Sequence, residues 1–378
     1  MLMRKLDASP PAFAIVCFST CPWGEEPPRL RELMRSAARV HHVTIFEPVA
    51  QGPITAMSRR TDPSGLEIVS IVVDAEPASS LAHLRIAAFQ DEIIGPLTGR
   101  PVVAWFAQSG TSQYRSAYVP DLTVLDSPAA ANAFADAIDP LRLDLILSDH
   151  VFASDLFGAR ARYAPDGVDL ARFNLPRHSR DGAPCIGFCG PIDDRLDLDL
   201  IDDMSAMRPD WRFIFAGDQT ASALPTRGNI AWRTAALEAD KPALFASWDA
   251  AWMPFARNDK TLRAPPAGAL DYVAAGLPLV ATSMRMLMRT LGAARLCAFA
   301  DDAMATEAAL RVGLAEGPGA AAVRRIAIGA QTWGRSWRIV EGFMRERLGE
   351  KQAAIVEPVS HSLDRGIGLA RATGGLNA

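Results

Sequence analysis

The stretch "TLRAPPAGALDYVAAGLPLVA", residues 261–281, combines residue types that can hold an anion. Arg263 lies in a loop, Pro265 and Pro266 open a helix whose first turn lacks N–H partners in any case, and Gly276 closes it ahead of Pro278. The apolar run 277–281 then reads as a strand covered on both faces. A loop feeding a helix N-terminus at the edge of a parallel sheet is where α/β proteins bind anions.

Other clusters have the same composition. "APDGVDLARF" places Pro165, Asp166 and Gly167 in a tight turn, and "GFCGPIDDRLDLDL" runs from a strand through Gly190 and Pro191 to a helix whose start carries Arg195. "FAGD" ends at Gly217 and Asp218, while "WMPFARNDKT" carries Asn258 and Thr261 into the opening helix. Strands must end in turns, and turns are built from Gly, Pro, Asp and Asn, so each cluster alone says little. Their common place and their order along the chain carry the weight.

The elements that must position these residues alternate between strand and helix twice over. The first half offers "FAIVCFS", a helix over about 29–40, "VTIFE", "LEIVSIVV", a helix over about 80–97, "PVVAWFA", "LTVLD", a helix near 128–138 and "LDLILS". This pattern predicts a doubly wound parallel sheet. The polar stretch "FNLPRHSRDGAP" near residue 174 suits a linker. The pattern restarts with "CIGFCG", a helix over about 196–207, "WRFIFAG", "NIAWR", a helix over about 237–247, "WDAAWMPF" and "PLVAT". The expected organisation is a first Rossmann-like domain over 1–174, a second over 175–325, a helix over 326–350 returning to the first domain, and a flexible tail over 351–378. Two such domains joined by a linker imply a ligand cleft between them.

Composition narrows the function classes. A chain of 378 residues, 49% hydrophobic and 22% charged, has material for two cores. A net charge of −4 and the absence of basic blocks argue against nucleic acid as a partner. Asp7, Pro10 and Pro11 interrupt the N-terminus before any long apolar run, so neither a signal peptide nor a spanning helix is expected, and the predicted location is cytoplasmic. Cys17, Cys21, Cys185, Cys189 and Cys297 are an odd number, which argues for reduced thiols, and no histidine stands at ligand spacing from them, so no metal site is predicted.

With these clusters in this order, the chain resembles GT-B retaining glycosyltransferases, of the family 1 and 4-like group, in a bacterial branch linked to sugar-polymer or galactofuranose metabolism. The likeness runs over about 12–345 and is strongest from "PDGVDLARF" through "IGFCGPIDDRLDLDLI" and "PDWRFIFAGD" to "DYVAAGLPLVAT". It implies two Rossmann-like domains facing across a cleft, with a nucleotide-sugar on the second, an acceptor on the first, and no metal. The leaving nucleoside diphosphate gains negative charge, so a metal-free transferase needs cations and a helix N-terminus aimed at the phosphates. Arg195 stands at the family's diphosphate-binding arginine, although a surface pairing with Asp193 or Asp199 would also explain it. In the opening helix Pro266 and Tyr272 match the family pattern, Gly268 stands where a phosphate-binding lysine is expected, and Asp271 replaces the glutamate that holds the ribose hydroxyls. Arg263 or Lys260 then becomes the replacement cation.

On the acceptor side Trp23 and Arg29 match family positions, and Asp126 is either a polar group facing the acceptor or the N-cap of the helix begun by "DSPAA". Trp105 reads as core. The expected function is transfer of a sugar from a UDP- or GDP-sugar to a glycan, a lipid-linked or another acceptor with retention, with peripheral membrane contact through the acceptor. The alternative is a catalytically silent GT-B protein acting as a binding partner. A nucleotide-sugar epimerase is disfavoured, because no histidine falls at the first-domain strand ends or in "GPIDDR".

Overall fold

The computed structural model describes residues 13–107, 113–126, 143–176, 182–234, 239–258, 261, 268–317 and 319–368. Two sheets organise them. The first contains β1 (Ala14–Phe18), β2 (His42–Phe46), β3 (Ala50–Gln51), β4 (Ala56–Thr61), β5 (Glu67–Val73), β6 (Val102–Ala107), β7 (Leu122–Asp126), β8 (Leu145–Ser148) and β9 (Ala161–Tyr163). Its order is β3-β5-β2-β1-β6-β7-β8-β9, with β4 pairing antiparallel to β5. The second contains β10 (Cys185–Cys189), β11 (Arg212–Ala216), β12 (Ile230–Arg233), β13 (Ala250–Met253), β14 (Leu279–Ala281) and β15 (Ala298–Phe299), ordered β12-β11-β10-β13-β14-β15 and parallel throughout.

The central strands are buried along their whole length because helices cover both faces, and their sequences are correspondingly apolar rather than alternating. One face of the first sheet packs Val103, Trp105 and Val124 against Leu33 and Met34 of the helix Pro28–Ala38 and against Trp337, Val340 and Met344 of the helix Trp333–Gly368. The opposite face packs Phe18, Phe46 and Phe106 against Ala82, Ile86 and Ile93 of the helix Ser80–Ile94. The second domain has one continuous core in which Trp211, Trp248, Trp252 and Tyr272 are fully buried.

Several expectations need correction. The first sheet is not purely parallel: polar, exposed β4 folds back along β5 and closes that edge with arginines, a common protection for an edge strand. The short β15 escaped the sequence pattern. The helix expected from Pro265 starts at Ala269, with Gly268 as its N-cap, while Pro265 and Pro266 lie outside the described residues. The C-terminal helix runs on to Gly368 instead of giving way to a tail at 351, although Pro358 and Gly366 lie within it. The helix expected near 128–138 and the first residues of the one expected near 237 also lie outside the described residues.

The chain passes between the domains twice, and the two passages lie side by side. Val168 N donates to Gln331 O at 2.8 Å. A Cβ on Gly167 would stand 2.3 Å from the backbone nitrogen of Trp333, so only glycine allows this approach. The loops following β8 and β14 also meet: Val151 N donates to Met286 Sδ at 3.4 Å and the Arg285 guanidinium lies 4.8 Å from the Phe152 ring centroid. Both loops leave the carboxyl ends of their strands, so the carboxyl edges of the two sheets face each other. That is the edge at which open α/β sheets bind ligands.

Gly167→Ala is expected to push the two passages apart and to cost about 1–3 kcal/mol, as overpacking does. Gly228→Ala, with nothing within 4 Å of its Cβ, serves as control and should stay within about 0.5 kcal/mol of the natural protein. Urea unfolding decides this, and equal midpoints for the two variants would refute the packing argument.

Candidate functional site

The carboxyl edge of the first sheet is built around one buried arginine. Arg29, one residue into the helix Pro28–Ala38, is 5% exposed. Its Nε donates to Asp126 Oδ1 at 2.9 Å, and its Nη1 donates to Asp166 Oδ1 at 2.5 Å and to Ala164 O at 2.9 Å. Asp126 ends β7, while Ala164 and Asp166 follow β9 in the passage to the second domain. Thus the first helix, a central strand and the interdomain passage meet on one guanidinium. Burial works against the Arg29 charge, but the carboxylates of Asp126, Asp166 and Asp149 outweigh it and hold the group protonated.

Asp149, directly after β8, belongs to the same cluster. Burial first, and the Asp166 charge second, push its carboxyl up to about 8 against the pull of Arg29. Burial also raises Asp126, and the Arg29 partner offsets this only in part. Asp149 Oδ1 and Arg29 Nη2 are buried atoms with no hydrogen-bond partner among the described residues. Tyr163, also raised by burial, faces Asp166 and Asp149.

Beside this cluster, Trp23 is half-buried, packed against the core, and its backbone N–H donates to Glu47 Oε1 at 2.8 Å. Glu47 follows β2 and also accepts from Arg60 Nη2 at 2.7 Å and from Ser70 Oγ. Burial pushes its carboxyl up, but these hydrogen bonds prevail and hold it below the ordinary range. Glu26, buried, accepts from Gly24 N at 2.7 Å in the turn ahead of the first helix.

At the carboxyl edge of the second sheet, the turns after β10 and β11 touch through backbone alone. Gly190 N donates to Ala216 O at 3.0 Å, Ile192 N donates to Asp218 O at 2.8 Å, and a Cβ on Gly217 would fall 1.8 Å from Gly190 O. Arg195 precedes the N-cap Asp197 of the helix Leu198–Met207 and does not lie within that helix. Its Nε and Nη2 bind the Asp193 carboxylate at 2.8–3.0 Å, its N–H donates to Asp193 Oδ1, and its carbonyl accepts from Ala256. The pairing with Asp193 foreseen from spacing is therefore the geometry found, with Arg195 one-third exposed at the edge.

Other residues expected to touch a ligand act on the scaffold instead. Tyr272 is fully buried; its hydroxyl donates to Cys189 O at 3.0 Å and accepts from Cys189 N at 2.8 Å, so it fixes the end of β10 and is not available as a ligand contact. Thr261 is buried, with Thr261 N donating to Asn258 Oδ1 at 3.0 Å and Asn258 N to Thr261 Oγ1 at 3.2 Å, which ties the turn to itself. Gly268 has φ 84, a left-handed conformation that explains glycine there in place of a lysine. Asp271 sits in the first turn of the helix Ala269–Ala274, half-buried. Arg263, Lys260 and Pro266 lie outside the described residues.

The structure therefore joins Arg29 and Asp126 directly and sets Arg195, Gly190, Gly217 and Asp218 together on the other domain. Asp149 was missed from sequence, although its place immediately after the apolar run "LILS" was the available signal. His150 beside it was dismissed, yet it too follows β8 at this edge, buried, with Nδ1 accepting from Phe152 N at 3.2 Å.

No protein-family model matches the chain. A putative teichuronic acid biosynthesis glycosyltransferase, TuaH of Bacillus subtilis, is 27% identical over 136 residues, which are 34% of this chain and 32% of that protein; the match thus spans about a third of the relative's length. A sucrose-phosphate synthase from Thermosynechococcus elongatus superposes with a TM-score of 0.62 at 12% identity over 89% of this chain and 100% of that one. A trehalose-6-phosphate structure from E. coli bound with UDP-2-fluoro glucose gives 0.60 at 12% identity, over 89% of this chain and 99% of that one. An α,α-trehalose-phosphate synthase from Burkholderia xenovorans in complex with glucose-6-phosphate gives 0.57 at 13% identity, over 89% and 100%. The chain has the GT-B fold these structures share.

The Asp149 carboxyl titrates higher in the folded than in the unfolded protein, so its protonation contributes stability at low pH that is lost as pH rises from about 4 toward about 8. Asp149→Asn mimics the protonated acid at all pH values. Its stability relative to the natural protein should therefore rise across that window and level off above it. Urea titrations at pH 5, 7 and 9 measure the difference, and a pH-independent difference would contradict the assignment.

Proposed function

We propose that the chain is a glycosyltransferase that moves a sugar from a UDP- or GDP-sugar to a hydroxyl of a glycan or lipid-linked acceptor with retention, in polysaccharide assembly on the cytoplasmic side of a membrane. The GT-B architecture and the likeness to TuaH support the class. The observation that carries it is Arg195, a guanidinium one-third exposed beside a glycine-built turn at the carboxyl edge of the second sheet. No helix among the described residues is long and apolar enough to cross a membrane, so contact with a lipid-linked acceptor would be peripheral.

In the transfer, the bond from the anomeric carbon to the diphosphate oxygen breaks and a bond to the acceptor oxygen forms on the same face. The acceptor proton leaves with the departing diphosphate. Arg195 neutralises the charge that develops on the leaving group, where a fixed donor is worth most. The Arg195–Asp193 ion pair is partly exposed and links residues two apart on one turn, so a diphosphate can compete with Asp193 for the guanidinium. Arg263 or Lys260 would supply the second cation, Asp271 accepts from the ribose hydroxyls, and the acceptor lies toward Trp23 and the Arg29 cluster.

Arg195→Ala should weaken UDP or GDP binding by about 1.5–3 kcal/mol, the worth of hydrogen bonds to a charged group, without altering the unfolding midpoint. Isothermal calorimetry with both diphosphates measures this. An unchanged affinity in a folded variant would assign Arg195 to its pair with Asp193 alone and remove the main support for the reading.

A further inference from the structure

The segment after β14 carries two arginines that make no contact with a charge of their own domain. Ser283 N donates to Asp301 Oδ1 at 2.7 Å and Thr282 Oγ1 to Phe255 O at 2.8 Å, so the chain leaves the strand in a fixed direction. It then forms a short helix, Arg285–Leu287, that widens into a π-turn over Met288–Gly292. Met286, Leu287 and Leu291 are buried, which leaves Arg285 and Arg289, four residues apart, exposed. Both lie over the Phe152 ring of the first domain, with guanidinium carbons 4.8 and 5.9 Å from its centroid.

The other arginines at this edge have carboxylates: Arg195 pairs with Asp193, and Arg257 with Asp301. Among the described residues neither Arg285 nor Arg289 has an ion pair or a side-chain hydrogen bond. A guanidinium resting on an aromatic ring is held by the face of the ring and keeps its N–H donors unspent. Two of them, one turn apart, form a donor set suited to a phosphate or a carboxylate. Phe152 follows β8 by four residues and Asp149 of the Arg29 cluster by three, so the pair stands at the first-domain edge where the acceptor lies. It is separate from the donor phosphates: β13 lies between β10, which leads to Arg195, and β14, which sets those strand ends about 10 Å apart.

We infer that Arg285 and Arg289 form a subsite for an anionic substituent, a phosphate or a carboxylate, carried by the acceptor sugar. The inference rests on the glycosyltransferase reading and names the acceptor class for that same cleft. The hydroxyls of such a sugar meet the Arg29 cluster of the first domain while its charge meets the two guanidinium groups of the second.

The test is calorimetry on the full chain saturated with UDP, and again with GDP, so that the donor diphosphate site is filled. Glucose, glucose 6-phosphate, glucuronate and inorganic phosphate are titrated in at constant ionic strength. Glucose 6-phosphate or glucuronate should bind at least about tenfold more tightly than glucose, and the tighter of the two identifies the oxyanion the subsite takes. Arg285→Gln and Arg289→Gln, which keep polar stems and drop the charges, should each remove about threefold of that affinity and together about tenfold. Arg311→Gln, a loss of charge at a residue 68% exposed elsewhere on the second domain, should leave it unchanged. Equal binding of glucose and both sugar anions overturns the inference, as does an anion preference that survives the double variant or falls as far in Arg311→Gln. Inorganic phosphate binding as tightly as glucose 6-phosphate overturns it too, because the site would then ignore the sugar. Failure of all four probes to bind the nucleotide-saturated protein overturns the inference and leaves the glycosyltransferase reading standing. Failure of both UDP and GDP to bind refutes that reading, and the inference falls with it.

Discussion

A buried guanidinium is costly unless its donors find acceptors, and the first domain supplies them to Nε and Nη1 of Arg29 by bringing distant segments together. Arg29 reaches partners 97, 135 and 137 residues along the chain, in Asp126, Ala164 and Asp166. The first helix thereby acquires its axial position, β7 its terminus and the interdomain passage its anchor. One residue further on, Gly167 lets the passage touch the returning chain, and Val168 hydrogen-bonds to it. The C-terminal helix begins at that contact, at Trp333, and lays Trp337, Val340 and Met344 on the core of the first sheet.

The second domain holds its edge by a different device. Tyr272 uses one hydroxyl to satisfy both the N–H and the carbonyl of Cys189, replacing the hydrogen bonds a longer strand would have made. Above it the glycines at 190 and 217 bring two turns into backbone contact. The turn that carries Arg195 is thus fixed from the core side, and its guanidinium rests on a neighbouring carboxylate with little desolvation. A strong, buried and permanent clamp in one domain is matched by a weak, exchangeable pair in the other, and only the second can be traded for a ligand.

Much of this was legible in the sequence because it is local. Runs such as "AIVCF" and "VVAWFA" declare buried parallel strands, Trp105 reads as core and is fully buried, and glycine turns mark the strand ends. The fold class follows from their alternation. Less legible were features set by backbone conformation or by distant partners. Gly268 looked like a lost lysine inside a helix, whereas its left-handed φ makes it the residue the N-cap requires. Asp126 had two local explanations, acceptor contact or helix cap, and spacing could not show a partner 97 residues earlier. Tyr272 matched a family position, but the match said nothing of a hydroxyl turned inward to Cys189.

The contacts between the domains differ in kind from those within them. Apart from the paired passages at 167–168 and 331–333, the loops after β8 and β14 meet through a methionine sulfur, Met286, and through Arg285 and Arg289 lying over the Phe152 ring. Thioether and cation–π contacts are soft in direction and survive small displacements. The Arg29 cluster is the reverse, since its partners are buried and lost hydrogen bonds there have no water to replace them. Asp166 is thus tied to the first domain by hydrogen bonds to a buried partner, whereas Arg285 reaches that domain only through the Phe152 ring.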